Sequence, residues 1–378
     1  MLPDDLRAAL DQALARHSPQ ELARSVARLT ERYRGSATGA TSAPGAPGAP
    51  GAPGAPGEAA HIRGQADVAA YAAYRMPATY EAAALAMRHA AARVPWFAPV
   101  SQLDAGGGTG AAIWAAGATW PSLRQVTVIE RDPQIIDLGR RLARTAQAPG
   151  VRGTAWRQAA VGSGLDRPRA DLATMSYALG EFAERDRADV VRWLARDAAM
   201  VLVVEPGTPA GYATIAAARE VLLAEGLSVV APCPHDRACP IEPGRDWCHF
   251  SVRLPRTSLH RQVKAGTLSF EDEKFAYVAA TARPAPASAA DRVLRHPQKR
   301  KGVVSLRLCT DAGGIRDVLV SKRQGELYRR ARDVGWGDAW AATGEAAGEA
   351  TREAASEATR EVASEAAGEV DRPAADPG

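Results

Sequence analysis

A glycine-rich segment between an apolar run and an alanine-rich run places the strongest constraint on how this 378-residue chain folds. Residues 103–110 read LDAGGGTG, and glycines at a strand-to-helix turn let the backbone approach a ligand at the helix N-terminus. Short Val/Leu/Ile-rich runs then alternate with helical segments up to about residue 230, which is typical of a parallel α/β sheet. The predicted strands are Val100–Asp104, Gln125–Glu130, Leu172–Tyr177 and Met200–Glu205.

Composition separates this α/β region from its flanks. The triplet Ala-Pro-Gly repeats from Ala43 to Gly57, a composition that cannot bury a core and predicts a flexible linker. Near the other end, a Glu stands at every fourth position from Glu345 to Glu369, which indicates a solvated helix or an acidic disordered tail. The predicted segments are N-terminal helices at 1–35, the linker at 36–60, a helical segment at 61–98, the α/β domain at 99–230, a cysteine-rich and basic region that completes the sheet at 231–340, and the acidic tail at 341–378.

The apolar runs are too short to cross a membrane. The longest ones, such as Ala198–Val204, fall far below the roughly 20 residues that a spanning helix needs. Acidic residues stand at positions 4 and 5, where a secretory signal would have a basic and then an apolar region. We therefore expect no membrane association and a cytoplasmic location, in which the four cysteines stay reduced.

Cationic charge is concentrated in one region. The formal net charge is only +4, yet residues 251–332 carry eighteen Lys and Arg against seven Asp and Glu. Residues 338–378 have the opposite balance, with ten acids and three arginines. A cationic region of this kind is the usual footprint of a phosphate-rich partner, and the alternative is a solvated arginine-rich face.

The glycine-rich segment has the spacing of a dinucleotide site. Glu130 ends the next predicted strand, where an acid accepts hydrogen bonds from ribose hydroxyls. Gly106, Gly108 and Ala111 match the pattern G-x-G-x-x-G/A, which keeps an NAD-dependent oxidoreductase open. A tight turn without any ligand is a further alternative.

A second cofactor class fits the same segment better. Asp104 closes the predicted strand and is followed by Gly-x-Gly-Thr-Gly, which resembles motif I of class I S-adenosylmethionine methyltransferases. In those enzymes the acid lies near the methionine end of the cofactor. The candidate cofactor-binding residues are Asp104, Gly106, Gly108, Gly110 and Glu130.

The strand predicted at Leu172–Tyr177 offers little for catalysis. Methyltransferases that act on a base nitrogen usually have Asn or Asp followed by Pro-Pro and an aromatic residue here, and Pro-Pro is absent. The pocket candidates are Ser176, Tyr177 and Glu181, none of which is an obvious general base. A cofactor-binding scaffold with little or no turnover therefore stays open beside an enzyme.

Three of the four cysteines lie close together in sequence. The pattern of Cys233, Cys239, Cys248 and Cys309 is C-x5-C-x8-C-x60-C, which fits a structural zinc site poorly. Four irregularly spaced thiolates, two of them followed by proline, suit an iron-sulfur cluster. Zinc with a histidine ligand, or independently buried cysteines, are the alternatives, and the histidines in question are His235 and His249.

The motifs around these cysteines carry a family resemblance. Residues 233–251 contain CPH, CP and DWCHFS, and residues 270–277 read FEDEKFAY. Together they resemble the mitochondrial small-ribosomal-subunit assembly family that includes methyltransferase-like protein seventeen and its bacterial relatives. The resemblance covers about residues 60–340. Further matching segments are RMPATY at 75–80, EPGTP at 205–209, PQKRKG at 297–302, YRRAR at 328–332 and WGD at 336–338.

This resemblance implies a fold, two cofactors and a partner. It implies a class I methyltransferase (Rossmann-like) sheet that binds S-adenosylmethionine, and association with the rRNA of the small ribosomal subunit during its maturation. It also implies a four-iron four-sulfur (4Fe-4S) cluster on Cys233, Cys239, Cys248 and Cys309. Carried over by position, the residues that hold S-adenosylmethionine are Asp104, Gly106, Gly108 and Glu130.

Two clusters of cations in the basic region are candidates for binding RNA. The second cluster stands beside Tyr328 and Trp336, so phosphate neutralisation and base stacking are both expected. The protein is then an RNA methyltransferase or a non-catalytic rRNA-binding assembly factor, and the sequence leaves both open. The candidate RNA-binding residues are Arg295, Lys299, Arg300 and Lys301 in one cluster and Arg329, Arg330 and Arg332 in the other.

Overall fold

The computed structural model divides the chain into two compact units, of which the first ends at Ala289 and the second begins at Ala290. It describes residues 1–18, 20–25, 64–162, 164–242, 244–255, 270–284 and 290–341. The predicted linker at 36–60 and almost all of the acidic tail at 341–378 lie outside the described residues. No helix in the described ranges has the length and apolar character needed to cross a membrane.

The first unit is built on an eight-stranded sheet. Its order is β3-β2-β1-β4-β5-β8-β6, with β7 paired to β8. Strands β1 to β5 run parallel, whereas β8 is antiparallel to both β5 and β6. The strands are β1 Ser101–Ala105, β2 Gln125–Glu130, β3 Ala155–Gln158, β4 Leu172–Ser176, β5 Met200–Pro206, β6 Ser228–Ala231, β7 Phe250–Pro255 and β8 Phe270–Thr281.

The prediction of a parallel α/β, Rossmann-like sheet is confirmed, and the four predicted strands lie within one residue of their expected bounds. The small differences have local causes. β4 ends at Ser176 because Tyr177 adopts a positive φ of 57°, and β1 begins at Ser101, where the N–H groups of Val100 and Ser101 both donate to the Asp171 carboxylate, at 2.8 and 2.9 Å. All seven residues of β5 are buried, as expected for a strand with neighbours on both sides.

Helices connect and flank these strands. Ser18 and Glu21 form a capping box near the N-terminus, since the Glu21 N–H donates to Ser18 Oγ at 3.3 Å and the Ser18 N–H donates to Glu21 Oε2 at 2.9 Å. The long helix α2 packs along α3 and β8 through an alanine-rich face. The helices are α1 Asp4–Leu14, α2 Gln65–Arg93, α3 Ala111–Thr119, α4 Pro133–Ala143, α5 Pro149–Arg152, α6 Glu184–Ala195 and α7 Pro209–Ala224, with a 3-10 turn at Leu179–Glu181.

The second unit has its own five-stranded antiparallel sheet and a single described α-helix. Residues up to β8 complete the first sheet, and residues 290–341 enclose a separate core between their strands and helix. The core consists of Val293, Val304, Leu306, Leu308, Val318, Val320, Leu327, Ala331 and Trp340. The elements are β9 Asp291–Val293, β10 Gln298–Arg300, β11 Val303–Cys309, β12 Ile315–Ser321, a 3-10 turn at Lys322–Gln324, α8 Glu326–Asp333 and β13 Ala339–Trp340.

We expect Gly211→Ala to destabilise the first unit. Gly211 lies in the first turn of α7, and a Cβ there would stand 2.0 Å from the carbonyl oxygen of Pro206 at the end of β5. Because the obstacle is backbone, the helix must shift, at a cost of about 1–3 kcal/mol. Thermal unfolding followed by circular dichroism measures the loss. The control is Gly164→Ala, whose added Cβ meets no atom within 4 Å, and equal midpoints for the two variants would contradict the close approach.

Candidate functional site

The glycine turn after β1 is fixed by hydrogen bonds to β2. The N–H groups of Gly106 and Gly107 donate to the Ile129 carbonyl at 2.8 and 3.2 Å. Gly106 and Gly108 have φ of 64° and 56°, in the left-handed region that favours glycine. A Cβ on Gly106 would also lie 2.9 Å from that of Ala178, so this turn requires glycine for both conformation and space.

Glu130 ends β2 and holds the turn from the other side. One carboxylate oxygen accepts from the Gly108 N–H at 3.0 Å, and the other accepts from the N–H groups of Arg131 and Asp132 at 2.7 and 3.0 Å. The residue thus fixes the backbone of the glycine turn directly. A carboxylate oxygen can accept more than one hydrogen bond, so Glu130 still has capacity for a ribose hydroxyl. That contact stays a prediction.

Asp104 lies beneath the turn at the end of a buried polar chain. Gln102 Nε2 donates to Thr174 Oγ1 at 3.0 Å, and Thr174 Oγ1 donates to Asp104 Oδ1 at 2.7 Å. Asp104 Oδ2 has no hydrogen-bond partner within the described residues, and a Cβ on Gly107 would lie 2.5 Å from it. Complete burial raises the pKa of this carboxyl to about 7. The hydrogen bond from Thr174 has the opposite, smaller effect and lowers the pKa.

A pocket opens above the turn and gathers most of the predicted site residues. Asp104, Gly106 and Gly108 line it together with the pocket candidates Ser176, Tyr177 and Glu181. Gly110, the N-cap of α3, and Glu130 are not among its lining residues. One wall comes from α2, which the sequence analysis did not connect with the site. The α2 side chains in the pocket are Tyr71, Tyr74, Arg75, Met76 and Thr79.

Tyr177 is clamped between two elements. Its hydroxyl donates to Glu273 Oε1 of β8 at 2.9 Å, and the Arg75 guanidinium of α2 lies 4.8 Å from its ring centroid. Arg75 Nη2 is 3.9 Å from the same Glu273 oxygen. A non-glycine residue at this φ costs about 1–3 kcal/mol, which these contacts must offset. Burial and the Glu273 charge raise the pKa of Tyr177 well above its ordinary value, so its hydroxyl is a neutral donor.

The other two pocket candidates differ in their surroundings. Ser176 Oγ is buried and has no hydrogen-bond partner among the described residues, so it is available to a ligand. Glu181 is about half exposed and pairs with Arg131 at 3.4 Å, while partial burial raises its pKa. Of the three, Ser176 alone combines burial with an unused polar atom.

Glu205 supports the pocket wall and was missed in the sequence analysis. It lies in β5 beside β4, and its Oε1 accepts from the Gly180 N–H in the 3-10 turn at 3.2 Å. Burial raises its pKa to about 7. The available signal was the EPGTP segment at 205–209, which carries this carboxyl at the end of an apolar strand.

Three cysteines surround one tyrosine in the first unit. The Tyr212 hydroxyl is 3.2 Å from Cys239 Sγ, and burial together with the charges of Cys239, Cys248 and Cys233 raises the pKa of Tyr212. The buried Arg219 guanidinium donates to the carbonyls of His235 and Arg237 and so fixes the loop after Cys233.

The described residues contain no group of three Cys, His, Asp or Glu side chains placed to hold one metal ion. The predicted four-cysteine cluster is therefore not confirmed. Cys233, Cys239 and Cys248 are half-buried and form no disulfide, whereas Cys309 is buried in β11 of the second unit.

The predicted RNA-binding cations fall into two groups. Lys299, Arg300 and Lys301 are exposed and form no ion pair with any residue that the structure describes. Others serve the fold: Arg330 lies 5.4 Å from the Trp340 ring centroid and donates to the Ala341 carbonyl. The remaining contacts are Arg329 to Glu326 at 2.7 Å and Arg295 to the Leu294 carbonyl at 2.7 Å, and Arg332 is exposed.

We expect Asp104→Asn to stabilise the protein at high pH. The carboxyl pKa is about 7 in the folded chain against 3.8 ordinarily, so stability present at low pH is lost as pH rises from about 4 to about 7. The neutral amide avoids that loss, which amounts to about 4 kcal/mol. Thermal midpoints from about pH 5 to about pH 8 measure the slope, with exposed Asp137→Asn as control. Parallel wild-type and Asp104→Asn curves would mean that the buried carboxyl does not titrate in this range.

Curated relatives match most of the chain. The human mitochondrial ribosome assembly protein METTL17 is 31% identical over 287 residues, which cover 71% of this chain and 61% of the relative. The Rsm22-cox11 tandem protein 2 of Schizosaccharomyces pombe, also mitochondrial, is 24% identical over 293 residues, covering 64% and 38%. The chain thus spans about three fifths and two fifths of the lengths of these relatives.

Solved methyltransferase structures also match the chain. Magnesium protoporphyrin IX methyltransferase (ChlM) from Synechocystis PCC 6803, with bound S-adenosylmethionine, has 14% identity and a TM-score of 0.34, covering 60% of this chain and 87% of that one. The plantazolicin methyltransferase BpumL in complex with SAH has 11% identity and a TM-score of 0.35, covering 59% and 92%.

The curated relatives correct one prediction and confirm another. The prediction of a cytoplasmic location is wrong, because these relatives are mitochondrial proteins and the features used for it, short apolar runs and acids at positions 4 and 5, do not distinguish the cytoplasm from mitochondria. The family resemblance is confirmed, since a single family model covers residues 65–341, including the pocket, the cysteines and the second unit. The chain belongs to the mitochondrial small ribosomal subunit Rsm22 family.

Proposed function

We propose that this protein binds S-adenosylmethionine in the pocket above the glycine turn and acts with small-subunit rRNA in ribosome assembly. The observation that carries the cofactor assignment is the pair of buried, unpartnered polar atoms, Asp104 Oδ2 and Ser176 Oγ, in a pocket with a glycine floor. Buried polar atoms normally have partners, so two in one pocket favour a polar ligand. A role in assembly is supported by the family and by METTL17, a ribosome assembly protein.

The pocket residues fit the cofactor in charge and in space. Asp104 and Ser176 would hold its polar methionine end, and Gly106 and Gly108 leave room for its close approach. Glu130 would accept from the ribose while it keeps the turn in place. When bound, S-adenosylmethionine supplies an activated methyl group. The α2 side chains exclude water from that wall of the pocket.

Whether a methyl group is transferred divides the two function classes. The non-catalytic assembly factor is favoured by the state of Tyr177, whose hydroxyl is neutral and already donates to Glu273. Glu181 pairs with Arg131, and no base is hydrogen-bonded to the Ser176 hydroxyl among the described residues. The three pocket candidates Ser176, Tyr177 and Glu181 therefore offer no evident proton acceptor.

We further propose that Cys233, Cys239 and Cys248 are ligands of an iron-sulfur cluster. Cys239 Sγ lies 3.2 Å from the Tyr212 hydroxyl, and the charges of Cys233 and Cys248 also contribute to the raised pKa of Tyr212. Four irregularly spaced thiolates suit a 4Fe-4S cluster better than a structural zinc site. For Cys309 the assignment rests on the sequence alone.

We expect Gly108→Val to abolish S-adenosylmethionine binding, measured by calorimetry. In the free protein an added Cβ meets nothing nearer than Tyr71 Oη at 3.7 Å, but a branched side chain fills the ligand's space and disfavours φ of 56°. Gly164→Val is the control. Unchanged affinity, or tighter binding of NAD, would contradict the assignment.

Transfer of labelled methyl to small-subunit rRNA, with the modified nucleotide mapped, separates an enzyme from a non-catalytic factor.

We expect anaerobically purified protein to contain about four irons per chain, because four cysteines most often hold a cubane. Single Cys→Ser changes at positions 233, 239 and 248 should each release the iron. Iron and sulfide analysis with absorption spectra measures the content, and Tyr212→Phe, which keeps all thiols, is the control. A single tightly bound zinc after anaerobic reconstitution would decide for the zinc alternative.

A further inference from the structure

The second unit carries a concentrated, unneutralised cationic surface at one end of its sheet. We infer that this surface, formed by Lys299, Arg300, Lys301, Lys322 and Arg323, binds the phosphate backbone of double-helical RNA. The inference rests on the proposed association with RNA and names the form of RNA that the site takes. Lys322 and Arg323 were not among the candidates from the sequence.

Strand register brings the two parts of the surface together. Arg300 of β10 pairs with Val303 of β11, and Val303 pairs with Ser321 of β12. Adjacent strands lie about 4.8 Å apart, so three strands place these residues within roughly 10 Å. The Lys322 N–H then donates to the Gly302 carbonyl at 2.7 Å, which joins the 3-10 turn to the β10–β11 turn.

The surface is held rigidly. Gly302 takes a φ of 80° in the β10–β11 turn, a conformation that favours glycine. The Gln324 side chain accepts from the Ser321 N–H at 2.6 Å and closes the 3-10 turn. The backbone is therefore fixed before a ligand arrives, which lowers the entropy cost of binding.

The charges on this surface are not neutralised by the protein. All five side chains are exposed, and none pairs with an acid among the residues that the structure describes. Elsewhere in the unit, cations do have acidic partners: Arg307 with Asp317 at 3.3 Å, Arg316 with Asp291 at 3.1 Å and Arg329 with Glu326 at 2.7 Å. Five like charges at one sheet end repel each other, and a polyanion relieves that repulsion.

The chemistry of the surface favours a double helix over a single strand. Single-stranded RNA is recognised by stacking unpaired bases on aromatic rings, whereas duplex RNA is contacted through phosphates and 2′-hydroxyls. None of the five residues is aromatic. The unit's aromatics are used elsewhere: Trp340 is buried in the core, Tyr328 packs against it, and the Trp336 ring contacts His296 at 4.8 Å. Tyr328 and Trp336, from which stacking was expected, are thus engaged with other groups of the unit in the free protein.

The test compares RNA forms and matched variants of the full chain. Fluorescence anisotropy measures the affinity for a paired RNA of about 20 base pairs, a length that spans a duplex-binding module, and for an unstructured single strand of equal length. We expect tighter binding to the duplex. The double variant Lys322→Gln with Arg323→Gln should weaken duplex binding about tenfold and reduce the log-log salt slope by about 2, since each phosphate contact contributes about 0.9. The control Arg253→Gln with Arg307→Gln removes the same charge from two cations that have acidic partners, Asp272 at 2.9 Å and Asp317 at 3.3 Å, and should change affinity less than about twofold.

Each outcome bears on a different claim. Wild-type affinity in the Lys322 and Arg323 variant, or an equal loss in the control variant of the ion-paired arginines, would overturn the assigned surface. Equal or tighter binding of the single strand would overturn the double-helical form while leaving RNA association standing. Failure of the wild type to bind either RNA would overturn the proposed RNA association itself.

Discussion

The hydrogen bonds that tie residues 106–108 to the end of β2 are the constraint on which the first unit's pocket depends. Two backbone donors reach the Ile129 carbonyl and a third reaches the Glu130 carboxylate. They hold the turn directly over Asp104, so close that residue 107 has no room for a side chain. The same turn keeps the Asp104 carboxyl out of water, and this burial raises the pKa of Asp104.

Local patterns were sufficient for four of the eight strands of the first sheet, β1, β2, β4 and β5, and for the floor of the pocket. Apolar runs and glycine spacing lie within a few residues of each other, so the strands and the turn could be predicted from neighbouring residues. The pocket's walls could not. Arg75, Tyr177 and Glu273 meet only because α2, β4 and β8 pack together, and no pattern in the sequence links positions so far apart.

The same limit applies to the cations of the second unit. Charge counting identified the region, and one of its two predicted clusters remains exposed. The other cluster is partly used by the fold, because Arg330 stacks on Trp340 and Arg329 has an acidic partner. Lys322 and Arg323 join Lys301 only through antiparallel register, which becomes visible once the strands are paired. Composition thus indicated which region is cationic, and strand pairing decided which of its cations lie together and are available to a ligand.

The position of α2 has a consequence for the order in which the protein is made. This helix precedes the sheet in the chain, yet the clamp that joins its Arg75 to Tyr177 needs Glu273, near the end of the first unit. During synthesis, the helix and the glycine turn leave the ribosome long before β8 does. The contacts among Arg75, Tyr177 and Glu273 can therefore form only after the last strand of the sheet has emerged, so this wall of the pocket is completed last.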